Sequence, residues 1–417
     1  MAETAEDRYK ERLKRVEDAI SLKVPDRVPF LPNTHLLAAR FAGLSAQDAF
    51  YQTDRWVAAN KQMVLELEPD MYFAAAAVYP GTALDILDCR QIRWPGHGVS
   101  GFSTFQFVEG EYMKADEYDA FLADPSDYII RVYMPRLYGA LEPLRNLPSI
   151  DALFLQGYKG AIFGSAVFAD PSIAEAFASL YRAGLEASKY LAILGGFDRE
   201  MAALGFPQAF GVTTYAPFDL ISDMLRGMRG TMLDMYRQPD KLHKTMEKVF
   251  PMLLKSAVDG AKRGGNPRVF IPLHRGSDGF MSLKQFETFY WPGLKKLILG
   301  LVDAGMTPCA FLEGDCTTRL PYLRELPRGK VLAMFDTTDI FKAKEIVGDT
   351  ICIVGGMPVS LLSTGTPEQI KEQTRRLIEG VGRGGGFIMS ARTVLDDAKP
   401  ELVKVWAECT REYGGYR

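Results

Sequence analysis

Four segments in the C-terminal half of the chain share one form, a short apolar run that breaks into a polar or glycine-rich turn just before a helical pattern begins. They are Val269-Phe-Ile-Pro-Leu-His274-Arg-Gly, Thr307-Pro-Cys-Ala-Phe-Leu-Glu313-Gly-Asp315-Cys316, Val331-Leu-Ala-Met-Phe-Asp336-Thr-Thr-Asp339 and Ile351-Cys-Ile-Val-Gly355-Gly-Met-Pro358. Runs that are apolar throughout, without alternation, suit parallel strands covered on both faces. Counting comparable runs back to the N-terminus predicts eight strands, ending near 32, 78, 216, 274, 313, 336, 355 and 390. Eight strand–helix units make a closed α/β barrel of the TIM (β/α)8 type, here with a helical N-terminal extension and insertions.

The 417 residues are expected to form one elaborated domain, with an N-terminal helix over 1–25, an insertion with helices over 81–205 and regular β/α repeats over 206–417. Helical periodicity covers 5–22, 45–67, 115–145, 170–205, 219–262, 282–301, 317–325, 340–347 and 367–381, and a hairpin is predicted around 105–113. The net charge is −3 and no basic block occurs, which argues against nucleic acid as a partner. No apolar run approaches the ~20 residues that span a bilayer, and the N-terminus is acidic where a signal peptide would be basic. A cytoplasmic protein with no membrane partner is therefore expected. The five cysteines (Cys89, Cys309, Cys316, Cys352, Cys409) are scattered and odd in number, so free thiols are expected.

In a barrel of this kind the strand ends converge on one mouth, which makes His274, Glu313 and Asp336 the candidate catalytic groups. The plainer reading of Glu313 and of Asp336-Thr-Thr-Asp339 is helix capping, and of His274 a structural hydrogen bond. Arg275 and Arg392 sit beside strand ends and suit a carboxylate or phosphate. Tyr215 and Phe218 are candidates for an apolar substrate wall. Ser390 closes the last predicted strand. Asn33, Thr34 and His35 follow the first strand, His97 lies exposed between glycines, and Asp219 is a candidate helix cap.

Several motifs over 268–400 together resemble the uroporphyrinogen decarboxylase superfamily. They are Glu313-Gly-Asp315 ahead of Leu320-Pro-Tyr-Leu-Arg-Glu-Leu326, and Gly355-Gly-Met-Pro358 followed by Leu361-Leu-Ser-Thr-Gly-Thr-Pro-Glu368; Pro25-Asp-Arg-Val-Pro29 fits as well. That superfamily holds decarboxylases of heme synthesis and methyltransferases that work with a corrinoid or a thiol. The decarboxylases carry an arginine-rich segment after the first strand, where this chain has Asn33-Thr-His-Leu-Leu-Ala-Ala-Arg40 with a single arginine. The thiol-directed methyltransferases hold zinc with His-x-Cys and a later Cys, where this chain has Glu313-Gly-Asp315 and Ser390 or Ala391. The resemblance therefore implies an enzyme that moves a methyl group from a small methylated substrate, of methyl ether or methylamine type, to a corrinoid. No Asp-x-His-x-x-Gly signature occurs, so the corrinoid is expected on a partner protein. Zinc remains an optional cofactor, with His274, Glu313, Asp315 and Cys316 as its expected ligands. A homodimer is compatible with the resemblance. The alternatives are a carboxy-lyase of the uroporphyrinogen decarboxylase type and a non-catalytic binding member.

Overall fold

A computed structural model describes residues 4–416, so residues 1–3 and 417 of the predicted spans lie outside it. Three short strands come first: β1 (Ile92–Pro95), β2 (Gly98–Val99) and β3 (Gln106–Phe107). Six parallel strands follow in chain order: β4 (Val212–Thr213), β5 (Arg268–Leu273), β6 (Thr307–Leu312), β7 (Leu332–Phe335), β8 (Cys352–Met357) and β9 (Phe387–Ala391). Two further segments close this sheet into a ring. Phe30 bridges Met389 in parallel, with Leu31 N–H donating to Met389 O at 2.9 Å. Asp70 N–H donates to Phe30 O at 2.9 Å, and Tyr72 bridges Gln208. Pro29 and Pro32 have no N–H to donate, which explains why the first staves pair by single bridges rather than by ladders. The result is the expected eight-stranded barrel.

Leu31, Met71, Ala209, Cys309, Phe311, Leu332, Met334, Cys352, Val354 and Ile388 fill the interior as one apolar cluster. Val16, Ala19 and Ile20 of the helix Ala5–Ile20 join it and plug the amino-terminal end. Below the first staves, the fully buried Asp70 accepts from Arg15 at 2.6 Å, from Arg27 at 2.7 Å and from Phe30 N–H at 2.8 Å. That network locks the segment Pro25–Phe30 onto the neighbouring stave.

Departures from the predicted elements have local causes. The run over 71–78 leaves the barrel early, and Ala75–Ala77 forms a 3-10 turn, since alanine has no β-branch to favour extension. The helix predicted over 115–145 is a chain of short pieces, interrupted where Asp124, ahead of Pro125, and Tyr138 turn extended, and its last piece, Gly139–Asn146 with Pro143 inside it, is a 3-10 helix. The predicted hairpin is absent: β3 pairs antiparallel with β1 instead. The long helix predicted over 219–262 divides into Pro217–Leu220, a π-turn over Ile221–Leu225, Gly227–Arg237 and Pro239–Gly264, with Gly227 at φ 70° making the break. All five cysteines are buried free thiols.

Candidate active site at the barrel mouth

Side chains at alternate positions of a strand face the same way, so the interior residues fix which neighbours face the mouth. Phe311, Met334 and Ile388 point inward, which turns Glu313, Asp336 and Ser390 inward one step higher. The register then aligns them. Leu273 pairs with Leu312, Leu312 with Phe335, Phe335 with Gly355 and Gly356 with Ser390, so His274, Glu313, Asp336, Gly356 and Ser390 form one row around five adjacent strands. Gly355 and Gly356 adopt φ 127° and 106°, a backbone that only glycine holds without strain, and Gly356 O accepts from Arg392 Nε at 3.4 Å.

His274 is the centre of the row. Its Nδ1 lies 2.5 Å from Asp223 Oδ2, and its Nε2 lies 3.5 Å from Glu313 Oε1. Burial disfavours the charged ring, but the hydrogen bonds to Asp223 and Glu313 and their charges outweigh it and push the imidazole pKa up to about 10. The same Asp223 binds Arg275 Nη2 at 2.8 Å through its other oxygen. Asp219, four residues earlier, is fully buried and accepts from Tyr290 Oη at 2.6 Å and from the backbone N–H groups of His274 and Arg275, both at 3.2 Å. Burial and the nearby Asp223 raise the Asp219 carboxyl to about 7, against the pull of His274. Asp336 accepts from Gly314 N–H at 3.1 Å, and burial with the neighbouring Glu313 raises its pKa.

The remaining expected site residues divide. Arg275 and Arg392 both reach the mouth, and no carboxylate lies within ion-pair distance of Arg392 among the described residues. Ser390 Oγ is buried without a hydrogen-bond partner. Tyr215 is half-buried near Asp223. Phe218 is a correction: it is 1% exposed and packs its ring 5.7 Å from Tyr290 in the core, because the chain has already turned into a helix there. His35 bonds Asp396 at 2.6 Å on the rim, and His97 stacks on Trp94 at 4.7 Å. Asp339 caps the helix Ile340–Val347, whereas Asp336 does not.

The expected zinc ligands do not come together. Cys316 turns outside the barrel wall into an apolar cavity of about 20 Å³ beside Phe286, Tyr290 and Trp291. Burial, with Asp278 nearby, pushes its thiol up to about 12, far from the thiolate a metal needs. Asp315 Oδ1 is taken by Thr317 N–H at 2.9 Å and by the Thr317 hydroxyl at 2.6 Å, a local turn that starts the next helix. Both nitrogens of His274 already face carboxylates. Among the described residues no three His, Cys, Asp or Glu side chains converge as ligands, so this donor set does not fit zinc.

Asp219, Asp223 and Tyr290 are site residues that sequence patterns did not single out for chemistry. A signal existed: two acids four apart in Pro217-Phe-Asp219-Leu-Ile-Ser-Asp223, directly after a barrel strand, share a helix face. An open groove of about 470 Å³ near Phe341, Arg375 and Arg376 lies on the outer helices, and both arginines there stack on aromatic rings. It shares no residue with the mouth.

An eight-stranded barrel with ionisable groups from several strand ends at its mouth is the arrangement of a barrel enzyme. Residues 201–413 match the uroporphyrinogen decarboxylase (URO-D) family, and the chain belongs to that family. Curated uroporphyrinogen decarboxylases are similar to it at low identity. The one from Chlorobium luteolum is 24% identical over 183 residues, 43% of this chain and 51% of that protein. The one from Danio rerio is 24% identical over 208 residues, 48% and 56% respectively. The chain thus spans about half the length of these curated relatives. A methyltransferase from Methanosarcina mazei superposes over 99% of both chains with a TM-score of 0.62 at 12% identity, a likeness of fold.

Proposed function

We propose that the chain transfers a methyl group from a small methylated ether or amine to a corrinoid brought by a partner protein, with His274 as the proton donor. The carrying observation is the clamp of His274 between Asp223 and Glu313 at the mouth. When present, the reduced corrinoid supplies the nucleophile that takes the methyl group. The mouth is open to it, since the side chains of His274 and Glu313 are 26% and 39% exposed.

As the bond from heteroatom to methyl carbon breaks, its electron pair stays on the heteroatom, which needs a proton. His274 Nε2–H gives that proton, and Glu313, looser and in contact with solvent, returns one to the ring. Asp223 holds Nδ1–H and so keeps the proton-bearing Nε2 directed into the mouth. Across the row, Arg392 offers a guanidinium to the rest of the substrate, and the buried Ser390 hydroxyl has no partner of its own. No step runs through zinc.

Decarboxylation of a porphyrinogen is the poorer fit. A substrate with many carboxylates would meet Asp223, Glu313 and Asp336, and Arg40 is engaged by Asp396 O and Asp397 on the outer rim. The test is loss of Co(I) absorbance when the protein is mixed with cob(I)alamin and a panel of aryl methyl ethers and methylamines. Transfer above the uncatalysed rate supports the assignment; release of carbon dioxide from uroporphyrinogen without any transfer would replace it by the carboxy-lyase reading.

A further inference from the structure

The order of the staves divides the rim of the mouth into two arcs. β4 to β9 run side by side, and the staves of Phe30 and Tyr72 join β9 back to β4. Four steps part the end of β5 from the end of β9, half of an eight-stave ring, so His274 and Arg392 stand on opposite sides of the mouth. The arc between them through β6 and β7 carries Glu313 and Asp336. The other arc carries rings: His35 follows the first stave, Tyr79 the second and Tyr215 follows β4. Phe105 of the insertion packs 5.2 Å from Tyr79 and 6.3 Å from His35, and Tyr79 lies near Tyr215.

Arg392 differs from the other cations of the mouth. His274 and Arg275 are both bound to Asp223. Arg392, two positions past Ser390 and so on the same side of its strand, is half-buried. Its backbone N–H donates to Met357 O at 3.0 Å and its Nε to Gly356 O at 3.4 Å, which holds the root of the side chain over β8. Among the described residues no hydrogen bond or ion pair engages Nη1 or Nη2. Asp336 feels the charge of Arg392 but lies beyond ion-pair distance and is turned to Gly314 N–H. The Ser390 hydroxyl takes nothing from it either. An arginine partly withdrawn from water is as a rule paired, because its donors lose hydration there. Two free in-plane donors match the two oxygens of one carboxylate. A phosphate monoester carries about twice that charge and would set it against Asp336 and Glu313 with a single guanidinium to balance it.

We propose that the methyl donor is a carboxylic acid, held with its carboxylate on Arg392, its methyl-bearing heteroatom at His274 and a flat spacer against the aromatic arc. The proposal rests on the methyl-transfer reading of the same site and adds the charge and shape of the substrate. Because the two residues face each other across the mouth, the carboxylate and the heteroatom belong at opposite ends of the molecule. A para-substituted acid meets that requirement. An ortho-substituted one, with the two groups side by side, cannot reach both residues.

Calorimetric titration of the full chain with 4-methoxybenzoate, and transfer from it to cob(I)alamin, test this beside methoxybenzene, 2-methoxybenzoate and 4-methoxyphenyl phosphate. The expected result is that 4-methoxybenzoate binds at least about tenfold more tightly than each of the other three, and that Arg392→Gln weakens its binding about 10- to 100-fold with circular dichroism unchanged. Arg392→Lys, which keeps the charge and loses the fork, serves as a second variant should the first misfold, and is expected to weaken binding at least about fivefold. An acid that binds no more tightly than methoxybenzene overturns the proposal, and so does a folded variant that binds it as the parent does. If methoxybenzene then still gives up its methyl group, the methyl-transfer reading stands without this addition. Tight binding of the acid that depends on Arg392 but leads to no transfer has the converse meaning: the carboxylate site stands and the methyl-transfer reading fails. Tighter binding of the phosphate ester, or of the ortho acid, overturns the assignment of charge or of span.

Discussion

Asp223 Oδ2 lies 2.5 Å from His274 Nδ1, joining a helix that follows β4 to the end of β5 across 51 positions of sequence. This contact decides the state of the ring. With its pKa pushed up to about 10, the imidazole is cationic through the neutral range and can donate a proton there. A folded value above the unfolded one near 6.5 means that the stabilisation is complete below about 6.5 and is lost as pH rises through about 10. Methyl transfer is predicted to fall on the alkaline side near that pH. Asp223→Asn removes the strongest stabilising partner, so the alkaline limb should move toward neutrality. A pH–rate profile that superposes on the parent's would show that Asp223 does not govern the ring.

Glu313 is half-exposed and holds His274 loosely, so its charge matters more to the proton than to the fold. Glu313→Gln is predicted to slow transfer by at least about tenfold, within the range of acid–base contributions, while the unfolding temperature changes by only a few degrees. Thermal unfolding and transfer to cob(I)alamin, measured on the same preparation, check this. Lost stability with full transfer would make Glu313 a structural cap.

Tyr290 and Asp219 form the buried floor behind that pair. Tyr290→Phe deletes the donor to a carboxyl that water cannot reach, at a predicted cost of about 1–3 kcal/mol in urea unfolding. The sign with pH is opposite to that of an exposed, paired acid. Asp219 has a folded pKa raised to about 7, so its favourable contribution is full below about 3.8 and is lost as pH rises through 7. The variant removes a hydrogen bond that holds this pKa down, so its deficit should grow between pH 5 and 8. A deficit that is flat over that range would contradict the assignment.

The barrel was legible because its later strands are uninterrupted apolar runs, each ended by a turn, and the same endings exposed His274, Glu313, Asp336 and Ser390. The first staves were harder to place. Pro29 and Pro32 reduce one to a bridge, and the alanines after Tyr72 curl into a turn. Asp219 and Asp223 were hidden for a different reason: they come from a helix, and only the fold brings that helix over the neighbouring strand. The π-turn over Ile221–Leu225, a feature frequent at functional sites, has no composition signature of its own. Cys316 misled by proximity, since one residue past the row is enough to turn a side chain out of the barrel.

Removal of metal tests the reading of the donor set. Because Cys316 and Asp315 are committed elsewhere, dialysis against a chelator is predicted to leave both the unfolding temperature and methyl transfer unchanged. Loss of transfer that added zinc restores would show that a metal binds these residues in a rearranged form.

The most direct test replaces the proton donor itself. His274→Asn keeps a hydrogen-bonding side chain toward Asp223 but has no group that donates with an imidazolium's acidity. Transfer from the best methyl donor of the panel to cob(I)alamin is predicted to fall about 10²- to 10⁴-fold, with binding of the donor, measured by calorimetry, changed far less. A His274→Asn protein that transfers methyl groups at the parent's rate would contradict the account at its centre.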